Sequence, residues 1–262
     1  MNGLVFITGA SSGIGQALAW RAYEAGCELA LVARRAQEMQ EWAQSRGLDP
    51  ARYRVYAADV ADTASILAAA RACLAQQGVP QVVVANAGIS IGIDTRERED
   101  LEVMARIFAV NNVGLAATFH PFIEPMCRRG SGRLVGIASV TGIRGLPGHG
   151  AYCASKAGVI SYCESLRVEL RGSGVRVVTI SPGYIDTPLT RQNRYDMPFL
   201  MTADAFARRA WHAIRAGTSY CVIPWQMAVV AKLLRLLPNA LYDRLLAGRP
   251  RKHRAADTGS QG

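Results

Sequence analysis

The sequence predicts a doubly wound α/β domain, a parallel sheet with helices on both faces, and three observations carry that prediction. Short, continuously apolar runs alternate with stretches of helical periodicity from Leu4 to Ile223. Runs without in/out alternation are buried on both sides, as in parallel sheets covered by crossover helices. A glycine-rich turn, Gly9 to Gly15, separates the first apolar run from the first helical stretch. Polar or small residues stand at the C-terminal end of nearly every run, the edge where an open α/β sheet places its ligand. With 262 residues, half of them hydrophobic, the chain is long enough to bury a full core.

The elements follow in order. Leu4–Thr8 reads as the first strand, and a helical pattern through Ala17, Leu18 and Ala22 stops at Gly26. Glu28–Ala33 is a second buried strand ending at Arg34-Arg35, followed by a polar amphipathic helix over 36–45. Arg54–Ala58 closes on Asp59, and 62–77 is an alanine-rich helix. Pro80–Ala85 runs into Asn86-Ala87-Gly88, and a long helical stretch is expected around 99–128. Arg133–Ser139, a helix from Tyr152 to Arg171, and Val175–Ile180 complete the central part. Residues 184–201 read as a loop with partial helix, 203–216 as a helix and Tyr220–Ile223 as the last strand. No linker or repeat interrupts the pattern. The expected organisation is one domain over 1–224 with a substrate loop at 184–201, a helical extension over 225–248, and a basic, flexible tail over 249–262.

Composition excludes several function classes. No apolar run reaches membrane-spanning length. The N-terminal stretch lacks a basic n-region and passes straight into glycines, which reads as a strand and not a signal peptide. Six cysteines without C-x-x-C spacing are expected to be reduced thiols of a cytoplasmic protein. The four histidines have no ligand spacing, so no metal is expected. A formal charge of +10 and a pI near 9.7 point to anionic ligands or surfaces. Much of that excess sits in the run from Arg249 to Arg254, and no nucleic-acid motif accompanies it.

Candidate chemistry starts at Tyr152 and Lys156, which share one helix face at i, i+4. A free phenol titrates near ~10, so bringing it to neutrality takes about 4 kcal/mol. A solvated ion pair supplies only roughly 0–1 kcal/mol. The pair is therefore useful only in a pocket shielded from water, with a second positive charge nearby. Otherwise it is an ordinary helix pair. The turn Gly9-x-x-x-Gly13-x-Gly15 lets backbone approach a pyrophosphate at a helix N-terminus. Ala33-Arg34-Arg35 offers cations and no carboxylate at the end of the second strand, where a carboxylate selects a ribose 2′-hydroxyl and an arginine a 2′-phosphate. Two solvated arginines opening a helix are the alternative.

TGASSGIG (8–15), NAG (86–88), VNNVG (110–114), Ser139, YCASK (152–156) and SPGYIDT (181–187) together resemble the short-chain dehydrogenase/reductase family over about residues 3–223. The resemblance implies a Rossmann-type domain that transfers hydride between a nicotinamide and a carbonyl or secondary alcohol. It implies that Tyr152 is the general acid/base, and that Lys156 holds the nicotinamide ribose and lowers the tyrosine pKa, helped by the oxidised ring. By the same likeness Ser139 binds the substrate oxygen and Asn111 anchors a water in the proton relay, Asn112 being a bystander. Gly9, Ser11, Ser12, Gly13, Ile14 and Gly15 would form the pyrophosphate turn. Asp59 and Val60 would contact adenine, Asn86, Ala87 and Gly88 the adenosine ribose, and Ile185 and Thr187 the carboxamide. Ser12 stands where some NADP-using relatives carry a basic residue, which leaves Arg34, with Arg35, as the determinant of a preference for NADP(H) over NAD(H).

The substrate is expected to be an apolar ketone or aldehyde, bordered by Ile89, Ile91, Val140, Leu146, Tyr184, Met197, Phe199, Leu200 and Met201. Arg144 and His149 are anchors for an anionic group or, more simply, solvated loop residues. The resemblance also implies a homodimer or homotetramer through the helices at 99–128 and 152–171. Trp225–Leu246 is apolar over a wide face and broken at Pro238. Packing on the domain or on a second subunit is expected there, with Arg249–Arg254 left solvated. Peripheral contact with the anionic inner membrane surface is the alternative. A catalytically silent NADP-binding regulatory or membrane-surface protein is the rival to an enzyme.

Overall fold

The computed structural model describes residues 3–191, 193, 196–248 and 250–258. Three positions of the expected substrate loop (192, 194 and 195), together with Arg249 and the last four residues of the expected tail, lie outside them. Seven parallel strands form one sheet: β1 (Leu4–Thr8), β2 (Glu28–Ala33), β3 (Tyr53–Ala57), β4 (Val82–Ala85), β5 (Gly132–Ile137), β6 (Val175–Pro182) and, after two short strands, β9 (Tyr220–Ile223). Their spatial order is β3-β2-β1-β4-β5-β6-β9. The chain reverses its direction of winding between β1 and β4, which opens a crevice at the C-terminal strand ends.

Helices α1 (Gly13–Glu24), α2 (Ala36–Ser45) and α7 (Ala203–Ala216) cover one face of the sheet. The other face carries α3 (Thr63–Gln76), α5 (Gly114–Arg129) and α6 (Gly150–Glu169). The sheet's own residues sort accordingly. Phe6 and Val83 point to the α3/α5/α6 side, where Phe6 meets Phe122 at 4.8 Å between ring centroids, and Val5, Ile7, Val82 and Val84 point to the α1/α7 side. All of these are fully buried, which is why the strand sequences show no polar alternation.

The helical stretch expected around 99–128 runs without a break from Asp100 to Arg129, as α4 (Asp100–Phe108), a wide π-turn over Ala109–Val113, and α5. π-turns are recurrent at functional sites because they aim one side chain out of the regular register. Residues 184–201 contain no helix among the described residues. Instead Ile185–Asp186 (β7) pairs in parallel with Met201–Thr202 (β8).

Beyond β9, α8 (Trp225–Leu236) and α9 (Asn239–Leu246) meet at an elbow around Pro238. A last turn of helix, α10 (Ala255–Thr258), ends the described chain. The run before α10 is docked on the domain, although Arg251 stays largely exposed. Arg254 Nε donates to the buried Asp100 carboxylate at 2.7 Å, Arg251 reaches Asp94 at 2.9 Å, and Lys252 Nζ donates to Ser90 Oγ at 2.9 Å. Gly92 N–H donates to the His253 carbonyl at 2.9 Å, and a Cβ on Gly92 would stand 2.3 Å from the Lys252 carbonyl oxygen. The expectation of a free basic tail fails for 251–254 because the loop over 90–100 presents two carboxylates and a side-chain-free glycine edge to it.

Candidate active site

The crevice at the strand ends is lined from Gly9 through Arg34, Asp59, Asn86, Ser139, Tyr152 and Lys156 to Thr190. Its floor is backbone. Gly13 has φ +54°, and a Cβ there would stand 3.1 Å from Thr187 Cγ2. On Gly15 a Cβ would lie 2.2 Å from the Gly9 carbonyl oxygen, so the turn closes only with glycine. Asn86 locks the turn from behind: its Nδ2 donates to the carbonyls of Thr8 and Gly9 at 3.0 and 3.1 Å. Thr8 Oγ1 in turn accepts from the amides of Asn86 and Ala87. Asn86 thus serves first as a buttress of the glycine turn.

Ser11, Ser12, Ile14, Val60, Ala87, Gly88, Ile185 and Thr187 all border the same crevice. Asp59 shapes its own corner, accepting from the Ala61 amide at 2.9 Å. Arg34 lies 4.0 Å from Asp59 Oδ2 with its side chain 60% exposed, so its guanidinium is held only loosely. Arg35 pairs with Glu38 on the surface at 3.1 Å. Arg106, one turn before the π-turn, is a further cation bordering the crevice that the motif reading did not name.

The reacting end is built around α6. Lys156 is buried and donates from Nζ to the Ile137 carbonyl, at the end of β5, at 2.9 Å. Its Nζ is 5.9 Å from the Tyr152 ring centroid. Burial pushes the lysine down to about 8. Burial also pushes Tyr152 up to about 12, against the opposing pull of a hydrogen bond with Ser139. The depression expected for the phenol is therefore not supplied by the protein groups, because desolvation of the buried ring outweighs the hydrogen bond with Ser139.

Ser139 caps the short 3₁₀ turn Val140–Gly142, its Oγ accepting from Thr141 N at 3.2 Å and from Thr141 Oγ1 at 3.0 Å. With its lone pairs engaged by Thr141, the serine hydroxyl is left as a donor toward the Tyr152 side of the crevice.

Asn111 sits on the π-turn and is buried. It donates to the Ile89 carbonyl (3.0 Å) and Ser155 Oγ (2.9 Å), and accepts from Ile89 N at 2.9 Å. Ser155 Oγ donates onward to the Tyr152 carbonyl at 2.8 Å. Asn112 has a structural part: its Nδ2 donates to the Ser155 carbonyl at 2.9 Å, tying the π-turn to α6. Thr141, Ser155 and Asn112 escaped sequence reasoning because each acts through a neighbour. A serine inside Y-C-A-S-K, one position before the lysine, was the available signal.

Arg144 and His149 take neither of their expected roles. Arg144 donates to the Leu237 carbonyl at 2.8 Å and to that of Leu234, and stacks over Tyr242 at 3.8 Å, closing the C-terminal end of α8. His149 is buried with Nδ1 3.0 Å from the Pro147 carbonyl, and burial lowers its pKa. Of the apolar residues expected around a substrate, Ile89 borders the crevice and Met201 is fixed in β8. Phe199 and Leu200 are about half exposed on the turn leading to it.

A family model for short chain dehydrogenases matches residues 3–198. An uncharacterized oxidoreductase of Myxococcus xanthus is 39% identical over 242 residues, spanning 90% of this chain and 93% of that protein. A dehydrogenase/reductase SDR family protein 7-like of Drosophila melanogaster is 32% identical over 94% of this chain and 80% of its own length. Among solved structures, a short-chain dehydrogenase from Streptomyces avermitilis superposes with a TM-score of 0.78 at 24% identity, over 88% of this chain and 92% of that one. That likeness shows the fold. A serine dehydrogenase complexed with NADP+ gives 0.72 at 25% identity, over 80% and 88%. The chain belongs to the short-chain dehydrogenase/reductase family, and is an oxidoreductase acting on CH–OH groups with a nicotinamide cofactor.

Proposed function

We propose that this member of the family is an NADPH-dependent carbonyl reductase, or alcohol dehydrogenase in the reverse direction, acting on a rather apolar ketone or aldehyde. The observation that carries the reading is that Ser139, Tyr152 and Lys156 line one end of a crevice whose other end is a glycine turn beside Arg34, with buried Asn111 tied to the same helix through Ser155. A silent cofactor-binding protein would not need those three or Asn111. The glycine turn supports a pyrophosphate, since it closes only without side chains and leaves backbone bordering the crevice at the N-terminus of α1. Gly9 to Gly15 would hold that group, Asp59 and Val60 the adenine, Ala87 and Gly88 the adjoining ribose, and Ile185 and Thr187 the carboxamide. The nicotinamide, when bound, supplies or accepts the hydride.

The rest of the chemistry belongs to the chain. Ser139, oriented by Thr141, donates a hydrogen bond to the substrate oxygen as negative charge develops there. Tyr152, held protonated by burial, delivers its proton to that oxygen during reduction. Lys156, with one of its three N–H groups on the Ile137 carbonyl, is placed to donate hydrogen bonds to the hydroxyls of a ribose and to feel the phenolate left behind. Asn111 holds the backbone at Ile89 and the Ser155–Tyr152 link, keeping a proton route open behind the tyrosine. Arg34 reads the 2′-phosphate, because its one ion-pair partner among the described residues, Asp59, is 4.0 Å away and both groups are solvated. We also read a homodimer or homotetramer through α4–α6, a reading supported by the exposed Leu101, Val113, Tyr162 and Val168 on those helices.

The test is NADPH oxidation against a panel of carbonyls graded by chain length and charge. Turnover rising with apolar chain length, and lower with NADH, supports the reading. No turnover with any member of the panel, or preference for carboxylated substrates, overturns it.

A further inference from the structure

Six large apolar side chains on the C-terminal helices face solvent: Trp225 (66% exposed), Val229 (48%), Leu233 (60%), Leu236 (79%), Leu241 (53%) and Leu245 (50%). The four on α8 fall within about 80° of arc at 3.6 residues per turn, so they form one stripe. Met227 and Ala231, on the opposite side of α8, are buried against the domain, as Tyr242 and Leu246 are from α9. The helices therefore carry two apolar faces, and only one is used by the fold. A continuous apolar face of this kind marks an interaction surface.

Charge decides what covers it. Lys232, Arg235 and Arg244 are exposed beside the stripe and form no ion pair among the described residues. Residues 225–246 contain a single acid, Asp243. Face-to-face pairing of two copies would set these cations against their own counterparts, with one carboxylate per copy to offset them. A surface of anionic headgroups is complementary at every one of them. A tryptophan at one end, leucines along the stripe and cations at its border are the make-up of a helix lying in a bilayer interface.

We propose that α8 and α9 dock the enzyme on anionic lipid bilayers. The stripe is also tied to the catalytic end: α8 packs on the Val140–Gly142 turn that Ser139 caps, and Tyr242 Oη donates to the Gly145 carbonyl at 2.5 Å. Docking thus sets the loop after Ser139 next to the headgroup layer. Resting on the carbonyl-reductase reading above, this makes the substrate a ketone or aldehyde dissolved in the bilayer.

The experiment is flotation of the full chain with vesicles of phosphatidylcholine alone and with about one third phosphatidylserine. Binding is expected to the anionic vesicles only. Leu233→Glu with Leu236→Glu should lower it about tenfold or more, and Lys232→Gln or Arg235→Gln on the order of fivefold each. The double leucine variant should keep turnover of a water-soluble carbonyl while losing about as much turnover of a vesicle-dissolved ketone as it loses binding. Three results overturn the proposal: no flotation with anionic vesicles, flotation unchanged by the leucine substitutions, or a reversible dimer in sedimentation that those substitutions break. Flotation is read without turnover, so failure of the carbonyl-reductase reading would show separately, as a dead carbonyl panel with a protein that still floats.

Discussion

The crevice at the strand ends and the C-terminal segment after β9 are held by different physics. In the crevice, position comes from backbone: glycines without room for a Cβ, carbonyls that hold Asn86 and Lys156, and a π-turn that aims Asn111. In the C-terminal segment, position comes from side-chain pairs made across the surface, such as Arg254 to Asp100 and Arg144 to the end of α8. Substitutions in the first region should therefore change chemistry more than stability. In the second they should change stability, or placement, more than chemistry.

Tyr152→Phe is the sharpest test of the first half of that contrast. It keeps the ring and its packing but removes the proton, so steady-state turnover should fall by about 10²–10⁴ with unchanged thermal unfolding. Near-normal turnover would remove Tyr152 from the reaction. Arg34→Ala comes next in size. Losing one charge-assisted hydrogen bond costs about 1.5–3 kcal/mol, so NADPH affinity in a fluorescence titration should weaken roughly ten- to a hundredfold while NADH affinity stays put. Equal losses for both cofactors would show that Arg34 does not read the 2′-phosphate.

Arg254→Met probes the second region. It leaves the Asp100 carboxylate buried without its cation, so melting by differential scanning calorimetry should drop by on the order of 5 °C. Adding Asp100→Asn should recover much of that loss, because the pair is then removed from both sides. Ending the chain at Gly248 should reproduce the single-variant loss. A truncated protein as stable as the full chain would show that the docked run contributes nothing.

The smallest effect separates the two kinds of support within one residue. Lys156 titrates near 8 in the fold, below its unfolded value of 10.5. Its burial therefore costs stability below about pH 8, and that cost is relieved as pH rises from 8 toward 10.5. Activity runs the other way, since the ammonium is lost above 8. Between pH 8 and 9, reductive turnover should fall a fewfold while stability to urea does not fall with it. Lys156→Met should flatten the turnover profile in that window. A profile that stays steep in Lys156→Met would assign the titration to another group.

Much of the crevice was legible because its determinants are local in sequence. Gly9-x-x-x-Gly13-x-Gly15 specifies a turn within seven residues, and Tyr152 and Lys156 are fixed at one helical spacing. Ala33-Arg34-Arg35 likewise states its charge where the second strand ends. What escaped was second-hand: Thr141 acts through Ser139, and Asn112 through the carbonyl of Ser155 on another helix. The π-turn escaped as well, because 99–128 has helical periodicity throughout, and a single widened turn shifts the register without erasing the pattern.

The sequence by itself determined the strand order of appearance, the helices between them and the identity of the residues at the strand ends. Apolar runs, helical periodicity and glycine turns are short-range instructions that any chain reads locally. Only the tertiary structure decided where the C-terminal residues go. Arg254 and Asp100 are 154 positions apart, and Arg144 and Leu237 are 93 apart. A basic run looks equally suited to water, lipid or a distant carboxylate until the fold brings that carboxylate to it. The same holds for the two faces of α8. Hydrophobicity marks both, and only the packing of Met227 and Ala231 against the domain leaves Trp225, Leu233 and Leu236 facing outward.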